Sequence, residues 1–228
     1  MNFEEKQFRS LQYLFLPPKD FDKSKKYPAL IFLHGIGARG DMGKLRSHPF
    51  FTESVVDSPD FPMVVFAPLD PPGIVWFDVF ETLCAFTDEV CATDFVDSSR
   101  VYLMGASMGG YGTWMLGMSR HEKIAAIVPI CGGGTYWDVG RLKDVPVWAF
   151  HGALDQSVSP DESRRMVDAV NRRGGNAKLT IYPERDHNAW SDTFRNPEVF
   201  KWLLSHRKIQ KDVENTESEP NLDPAHFG

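Results

Sequence analysis

The chain has 228 residues, 42% of them hydrophobic and 25% charged, with a formal net charge of −6. A chain of this length suits one domain that buries roughly 70–75% of its unfolded surface, and the composition is that of an ordinary globular protein. The acidic balance disfavours nucleic acid, whose phosphates call for clustered Lys and Arg. The polar start MNFEEKQFRS is unlike a signal sequence, and no apolar run approaches the roughly 20 residues that span a bilayer, so a cytoplasmic protein without a membrane partner is expected.

Short apolar runs at 11–16 (LQYLFL), 29–33 (ALIFL), 63–67 (MVVFA), 101–105 (VYLMG), 124–130 (IAAIVPI), 145–150 (VPVWAF) and 179–182 (LTIY) read as strands. Most are nearly continuous, as suits strands covered on both faces. Helical signals fall between them. DMGKLRSHPFF after Gly40 is a weak helix, and Phe80, Leu83, Cys84, Thr87, Val90 and Cys91 repeat at helical spacing. A further helix starts just after Ser107, and another is framed by Ser159, Pro160 and Gly174-Gly175. The last begins near Pro197 and runs through Phe200, Trp202, Leu203 and Leu204. This alternation predicts a single α/β domain over 1–208, with a mostly parallel sheet, helices on both faces and an acidic, mobile tail at 209–228. Only Cys131 to Asp144 separates two core strands there, which leaves no room for a large cap domain.

Cys84 and Cys91 lie about 10.5 Å apart along a helix, beyond disulfide reach, and both read as small core hydrophobes. Cys131 follows a strand and is also expected to be buried. No H-E-x-x-H, paired C-x-x-C or acidic cluster suggests a metal, and no cofactor is expected.

Gly105-Ala106-Ser107-Met108-Gly109 is a G-x-S-x-G match placed between a strand and a helix. That context is a sharp turn that lifts a serine hydroxyl clear of the sheet. A serine needs a base within hydrogen-bond reach and a third group to orient that base. In the chain order serine, acid, histidine, the acid is Asp155 in HGALD and the base is His187 in ERDHNAW, each in a loop after a strand. His151 precedes Asp155 and reads instead as a packed histidine beside the site. His48, His121 and His206 read as exposed.

Charge developing on a carbonyl oxygen requires donors aimed at it in advance. The backbone amides of Met108 and of Ile36, in the loop His34-Gly35-Ile36-Gly37, are the candidates, with Gly37 as the alternative to Ile36. Gly35 to Gly40 also satisfies G-x-G-x-x-G, but the weak helix that follows and the place of Asp57, before the next strand instead of at its end, argue against dinucleotide binding. Trp76, Trp137 and Trp190, together with Phe77, Tyr136 and Met108, are candidates to line an apolar, aromatic-tolerant cleft.

LFLPPKDFDKSKKYPALIFLHGIGARGD, VYLMGASMGGYGTWMLGMSR, IVPICGGG, WAFHGALD and DHNAW together resemble bacterial α/β-hydrolases of the carboxylesterase group. That group is related to dienelactone hydrolases, feruloyl esterases and the catalytic domain of prolyl oligopeptidases, and the resemblance runs from about residue 11 to 206. It implies Ser107 as nucleophile, Asp155 as acid and His187 as base. Dienelactone hydrolases carry Cys at the nucleophile position, and here it is Ser. The expected partner is a small-molecule ester with a short acyl or aryl group, including phenolic or carbohydrate esters. A serine peptidase of oligopeptidase type, or a non-catalytic binding module on the same fold, are the alternatives.

Overall fold

The computed structural model describes residues 2–208; the tail expected at 209–228 lies outside the described residues. Eight strands form one sheet: β1 (Glu4–Phe8), β2 (Leu11–Leu16), β3 (Tyr27–Leu33), β4 (Val64–Leu69), β5 (Val96–Ala106), β6 (Ala126–Ile130), β7 (Val147–Gly152) and β8 (Ala177–Tyr182). Their spatial order is β1-β2-β4-β3-β5-β6-β7-β8. The β1–β2 and β2–β4 pairings are antiparallel, and β4, β3, β5, β6, β7 and β8 pair in parallel.

Among the described residues seven α-helices cover this sheet: α1 (Met42–Arg46), α2 (Pro49–Thr52), α3 (Phe80–Ala92), α4 (Met108–Ser119), α5 (Pro160–Arg172), α6 (Trp190–Arg195) and α7 (Pro197–Leu204). The period of two along each strand divides the core into two layers. Ala29, Ile31 and Leu33 of β3 face a layer completed by Leu83 of α3, Trp114 of α4 and Met166 and Val170 of α5. Leu30 and Phe32 face the other layer, where Leu45, Phe50, Phe194, Phe200 and Leu203 come from α1, α2, α6 and α7. Since both layers are apolar, the central strands read as continuous hydrophobic runs in the sequence.

Local signals set the helix starts. The Ser159 hydroxyl accepts the Asp161 amide ahead of Pro160 in α5, and the Asn196 side chain accepts the Glu198 amide ahead of Pro197 in α7. Asp41 caps α1 by accepting the Lys44 amide at 3.0 Å. The structure adds β1 to the expected strands. EEKQF alternates between exposed and half-buried positions at the sheet edge, where charges block pairing with other chains and also hide the strand from a search for apolar runs. Among the described residues no helix is long and apolar enough to cross a membrane.

Candidate active site

The carboxyl ends of β3, β5, β7 and β8 carry the loops that meet at one end of the sheet. Ser107 follows the central strand β5 at φ 58° and ψ −121°, a conformation costing on the order of 1–3 kcal/mol for a residue with a side chain. Neighbouring bonds hold it there: its amide donates to Ile130 O at 2.9 Å, and its carbonyl accepts the amides of Gly110 at 2.8 Å and Tyr111 at 3.1 Å. The motif glycines are needed because the chain crosses itself tightly. A Cβ on Gly109 would strike the Leu33 carbonyl, and one on Gly105 would strike that of Gly109.

From this turn a chain of hydrogen bonds runs inward. The Ser107 hydroxyl meets His187 Nε2 at 2.8 Å, and His187 Nδ1 meets Asp155 Oδ2 at 2.7 Å. The other carboxylate oxygen, Oδ1, accepts the amides of Ser157 and Val158, each at 2.9 Å. Burial alone would push the Asp155 carboxyl up, but the two amides and the His187 ring outweigh it and hold the group below the ordinary aspartate value. His187 is half-buried, with Trp190 of α6 set edge-on to it at 5.2 Å.

His151, at the end of β7, is a second histidine on the same carboxylate. Its Nε2 lies 3.2 Å from Asp155 Oδ2 and 3.0 Å from the Val158 carbonyl, and two acceptors fix the ring proton on that nitrogen. Nδ1 contacts the Ser163 hydroxyl at 2.7 Å, which in turn lies 2.9 Å from Gly132 O. Burial lowers the His151 pKa, against the opposing pull of the Val158 carbonyl and Asp155. The sequence placed this histidine beside the site but gave no sign of the shared oxygen.

The loop after β3 presses against Ser107; a Cβ on Gly35 would come within 3.4 Å of Ser107 Cβ. Ile36 and Gly37 open the short 3₁₀ turn Ile36–Ala38, and Met108 opens α4. Amides at such starts have no acceptor within their own helix and are available to a ligand.

A clasp to the loop after β4 holds the 34–41 loop. His34 Nε2 accepts the Asp70 amide at 3.0 Å, so its proton sits on Nδ1, which donates to Gly35 O at 2.7 Å. Burial takes the His34 pKa down to about 4, keeping the ring neutral. The Gly40 amide donates to Asp70 O at 2.8 Å, Arg39 Nη1 donates to Ile74 O at 3.2 Å, and Trp76 Nε1 donates to His34 O at 3.1 Å. The Asp70 carboxyl itself is fully buried, and neither oxygen has a hydrogen-bond partner among the described residues. Desolvation raises it to about 7, with Arg39 opposing and Asp78 adding to the rise.

A cavity of about 460 Å³ opens beside Ser107, lined by residues 35–38, Lys44, Ser47, His48, Pro49, Ala106, Ser107, His187 and Trp190. A cavity of about 510 Å³ between the 16–21 and 56–63 segments holds none of these groups.

Comparison with known proteins agrees with this arrangement. The prolyl oligopeptidase family matches residues 135–208. A thermostable esterase of known structure superposes with a TM-score of 0.74 at 30% identity, over 90% of this chain and 63% of its own. The chain belongs to the α/β-hydrolase superfamily. Among curated sequences, dipeptidyl-peptidase 5 of Porphyromonas gingivalis is 24% identical over 229 residues, 78% of this chain and 32% of its own. A bifunctional acetylxylan esterase/xylanase of Neocallimastix patriciarum is 29% identical over 133 residues, 56% of this chain and 19% of its own. The chain thus spans at most about a third of these two curated relatives.

This α/β-hydrolase corrects several sequence expectations. Trp76 does not line the cleft: it is fully buried, and its indole serves the clasp. Trp137 is 65% exposed but away from the cavity, because Arg173, which ends α5, holds its carbonyl at 2.8 Å. Since α5 runs back from the carboxyl ends of the strands, its last turn lies at the far side of the sheet from Ser107. Tyr136 is held by the same arginine, and Met108 packs its side chain on the core. Of the three tryptophans only Trp190 lines the cavity. His48, expected to be exposed, packs against both Phe32 and Phe194 on the cavity wall, and His121 and His206 are half-buried. Cys131 is buried at φ 41°, its thiol pushed well above the ordinary value by burial. Its sulfur lies within 4.8 Å of ligand atoms on Asp155 and His187, but those two are already bonded to each other.

Proposed function

We propose that this protein is a serine carboxylesterase acting on esters of short acyl or aryl groups through an acyl-enzyme. The observation that carries this reading is the continuous Ser107–His187–Asp155 chain, with bonds of 2.8 and 2.7 Å, opening on a mostly apolar cavity. In the first half-reaction Ser107 Oγ attacks the ester carbonyl while His187 Nε2 takes its proton. Asp155, ionised and saturated with donors, stabilises the resulting imidazolium. The carbonyl oxygen, now negative, is received by the Met108 and Ile36 amides, a preorganised pair that water could not supply without reorganising. The tetrahedral intermediate collapses as His187 protonates the departing alkoxide, leaving the acyl group on Ser107. Water, deprotonated by His187, then releases the acid and restores the serine.

A peptidase reading draws on the family match and the dipeptidyl-peptidase relatives. The matched stretch 135–208 carries Asp155 and His187, the parts a serine esterase and a serine peptidase share. A dipeptidyl-peptidase must also hold the free ammonium of its substrate, which calls for an anionic side chain near the nucleophile. Among the described residues that line the cavity, Lys44 is the one Lys, Arg, Asp or Glu, and it has the wrong sign. The ester reading is therefore favoured.

A fluorophosphonate probe should label the wild-type protein at Ser107 and leave Ser107→Ala unmodified. With p-nitrophenyl esters from acetate to palmitate, turnover should peak at short chains. Full burial gains about 0.8 kcal/mol per CH₂, and a cavity of about 460 Å³ cannot enclose a long chain together with its leaving group. A maximum at about ten carbons or longer, or faster cleavage of dipeptidyl p-nitroanilides than of any ester, would overturn the proposal.

A further inference from the structure

Which esters enter the cavity depends on what its wall offers once the catalytic groups are set aside. The polar side chains on that wall are Lys44, Ser47 and His48, with the indole of Trp190 set edge-on to His187. Lys44 extends into solvent, 3.9 Å from Asp41, and the Ser47 hydroxyl donates to the Gly43 carbonyl at 3.1 Å. His48 differs from both. Its Nδ1 accepts the Phe50 amide at 3.1 Å and so caps α2, which places the single proton of the neutral ring on Nε2.

That Nε2–H has no acceptor among the described residues, yet it is not among the buried atoms left without a partner. The nitrogen therefore reaches open space, and the cavity is the space that His48 lines. The ring is also fixed. Phe32 lies 5.2 Å and Phe194 6.1 Å away, and Phe32 is stacked on Phe50 at 3.8 Å, so ring, cap and helix form one packed unit. Burial, with the neighbouring His34, lowers the His48 pKa to about 4, so the donor is neutral wherever His187 can act as a base.

We propose that His48 is a specificity-determining residue. Its Nε2–H donates to an acceptor oxygen on the ester group that occupies the cavity, so that groups carrying an ether, keto or hydroxyl oxygen are preferred over all-carbon isosteres. This rests on the esterase reading of Ser107. A neutral donor already oriented, facing a mostly apolar lining, gains one hydrogen bond with such a substrate and leaves water in place with its isostere. The expected discrimination is roughly 3- to 10-fold.

The test compares esters in which one CH₂ is replaced by O. On the acyl side these are p-nitrophenyl pentanoate against 3-methoxypropanoate, and hexanoate against 4-methoxybutanoate; on the alcohol side, pentyl acetate against 2-ethoxyethyl acetate. Each ratio of kcat/KM is divided by the same ratio for alkaline hydrolysis, which removes intrinsic reactivity. For the wild-type protein at least one corrected ratio should reach about 3–10. His48→Phe keeps a planar ring without the donor, and His48→Asn keeps an acceptor for the Phe50 amide while withdrawing the donor from the cavity. Both should bring the ratio to about 1, a readout that a loss of stability common to both esters would not move. Corrected ratios near 1 throughout for the wild type, or a ratio retained in both variants, overturn the inference while the esterase reading stands. Absence of turnover for every ester together with absence of fluorophosphonate labelling defeats the esterase reading and this inference with it.

Discussion

The two sides of Ser107 handle buried charge in opposite ways. On the acid–base side, Asp155 is surrounded by donors: two backbone amides and two histidines converge on one carboxylate, which is thereby kept ionised. On the side of the 34–41 loop, Asp70 is equally enclosed and receives no side-chain hydrogen bond among the described residues, so desolvation raises it to about 7. Only its backbone is used, with N–H and C=O both pinning the 34–41 loop. The contrast follows from what each side must do. On the proposed mechanism, a base that becomes a cation needs a fixed negative charge behind it, whereas a loop that presents amides to a developing oxyanion is better served by a clasp of backbone atoms and a neutral His34 than by a fixed anion.

The largest test of this division is removal of the groups through which charge moves. Ser107→Ala and His187→Ala should each lower kcat by roughly 10⁴–10⁶, with the double variant scarcely worse than either; additive losses would show that the two do not act as a unit. Asp155→Asn should cost roughly 10²–10⁴, since it removes the charge behind the base while leaving the nucleophile and the amides in place. A loss of less than about tenfold would mean that the carboxylate has another role.

His151 gives a finer measure. His151→Phe withdraws one donor from Asp155 Oδ2, leaving that oxygen's charge to His187 alone. The acid limb of the kcat/KM profile should move to higher pH, with a fall of roughly 3- to 10-fold at its midpoint. An unmoved profile in a folded variant would show that His151 only fills space.

The smallest effect on rate, and the clearest on stability, belongs to Asp70. Its folded pKa, about 7, lies above the ordinary carboxylate value of roughly 4, so the folded state holds the proton more tightly than the unfolded one. Its contribution is therefore complete below about pH 4 and is lost as pH rises through about 7. Asp70→Asn should raise Tm at pH 8 by roughly 2–6 °C and leave it nearly unchanged at pH 4, as read by calorimetry. Equal Tm gains at both pH values would show that ionisation is not the cause.

The contrast also explains what could be read in advance. Ser107, Asp155 and His187 announce themselves through motif, chain order and position after strands, and the structure brings these three together. The continuous apolar runs predicted every strand except β1, whose alternating charges belong to a sheet edge. The clasp was hidden because its side chains, His34, Arg39 and Trp76, each meet a backbone atom of a distant segment, and a sequence does not mark which backbone atoms will be met. Trp76 showed the ambiguity of an aromatic after a strand: the same residue type could face substrate or, as here, brace a loop from within the core. His48 and Trp137 were misplaced for a related reason, since exposure depends on what distant segments do. Phe194 covers His48 from α6, and Arg173 draws the Trp137 loop toward the end of α5.

The His187 imidazole hangs from the margin of the sheet. His187 is carried by the loop after β8, a strand whose one sheet neighbour is β7 and whose residues 179–182 are half-buried. Edge strands of this kind open locally at less free energy than the core. Amide exchange in 177–182 should therefore outpace that in β5, and each such opening carries the imidazole away from a serine still held by the centre of the sheet. Heated slowly, the protein should fall silent a few degrees before it loses its far-ultraviolet signal, and a staple joining β8 to β7 should close that gap.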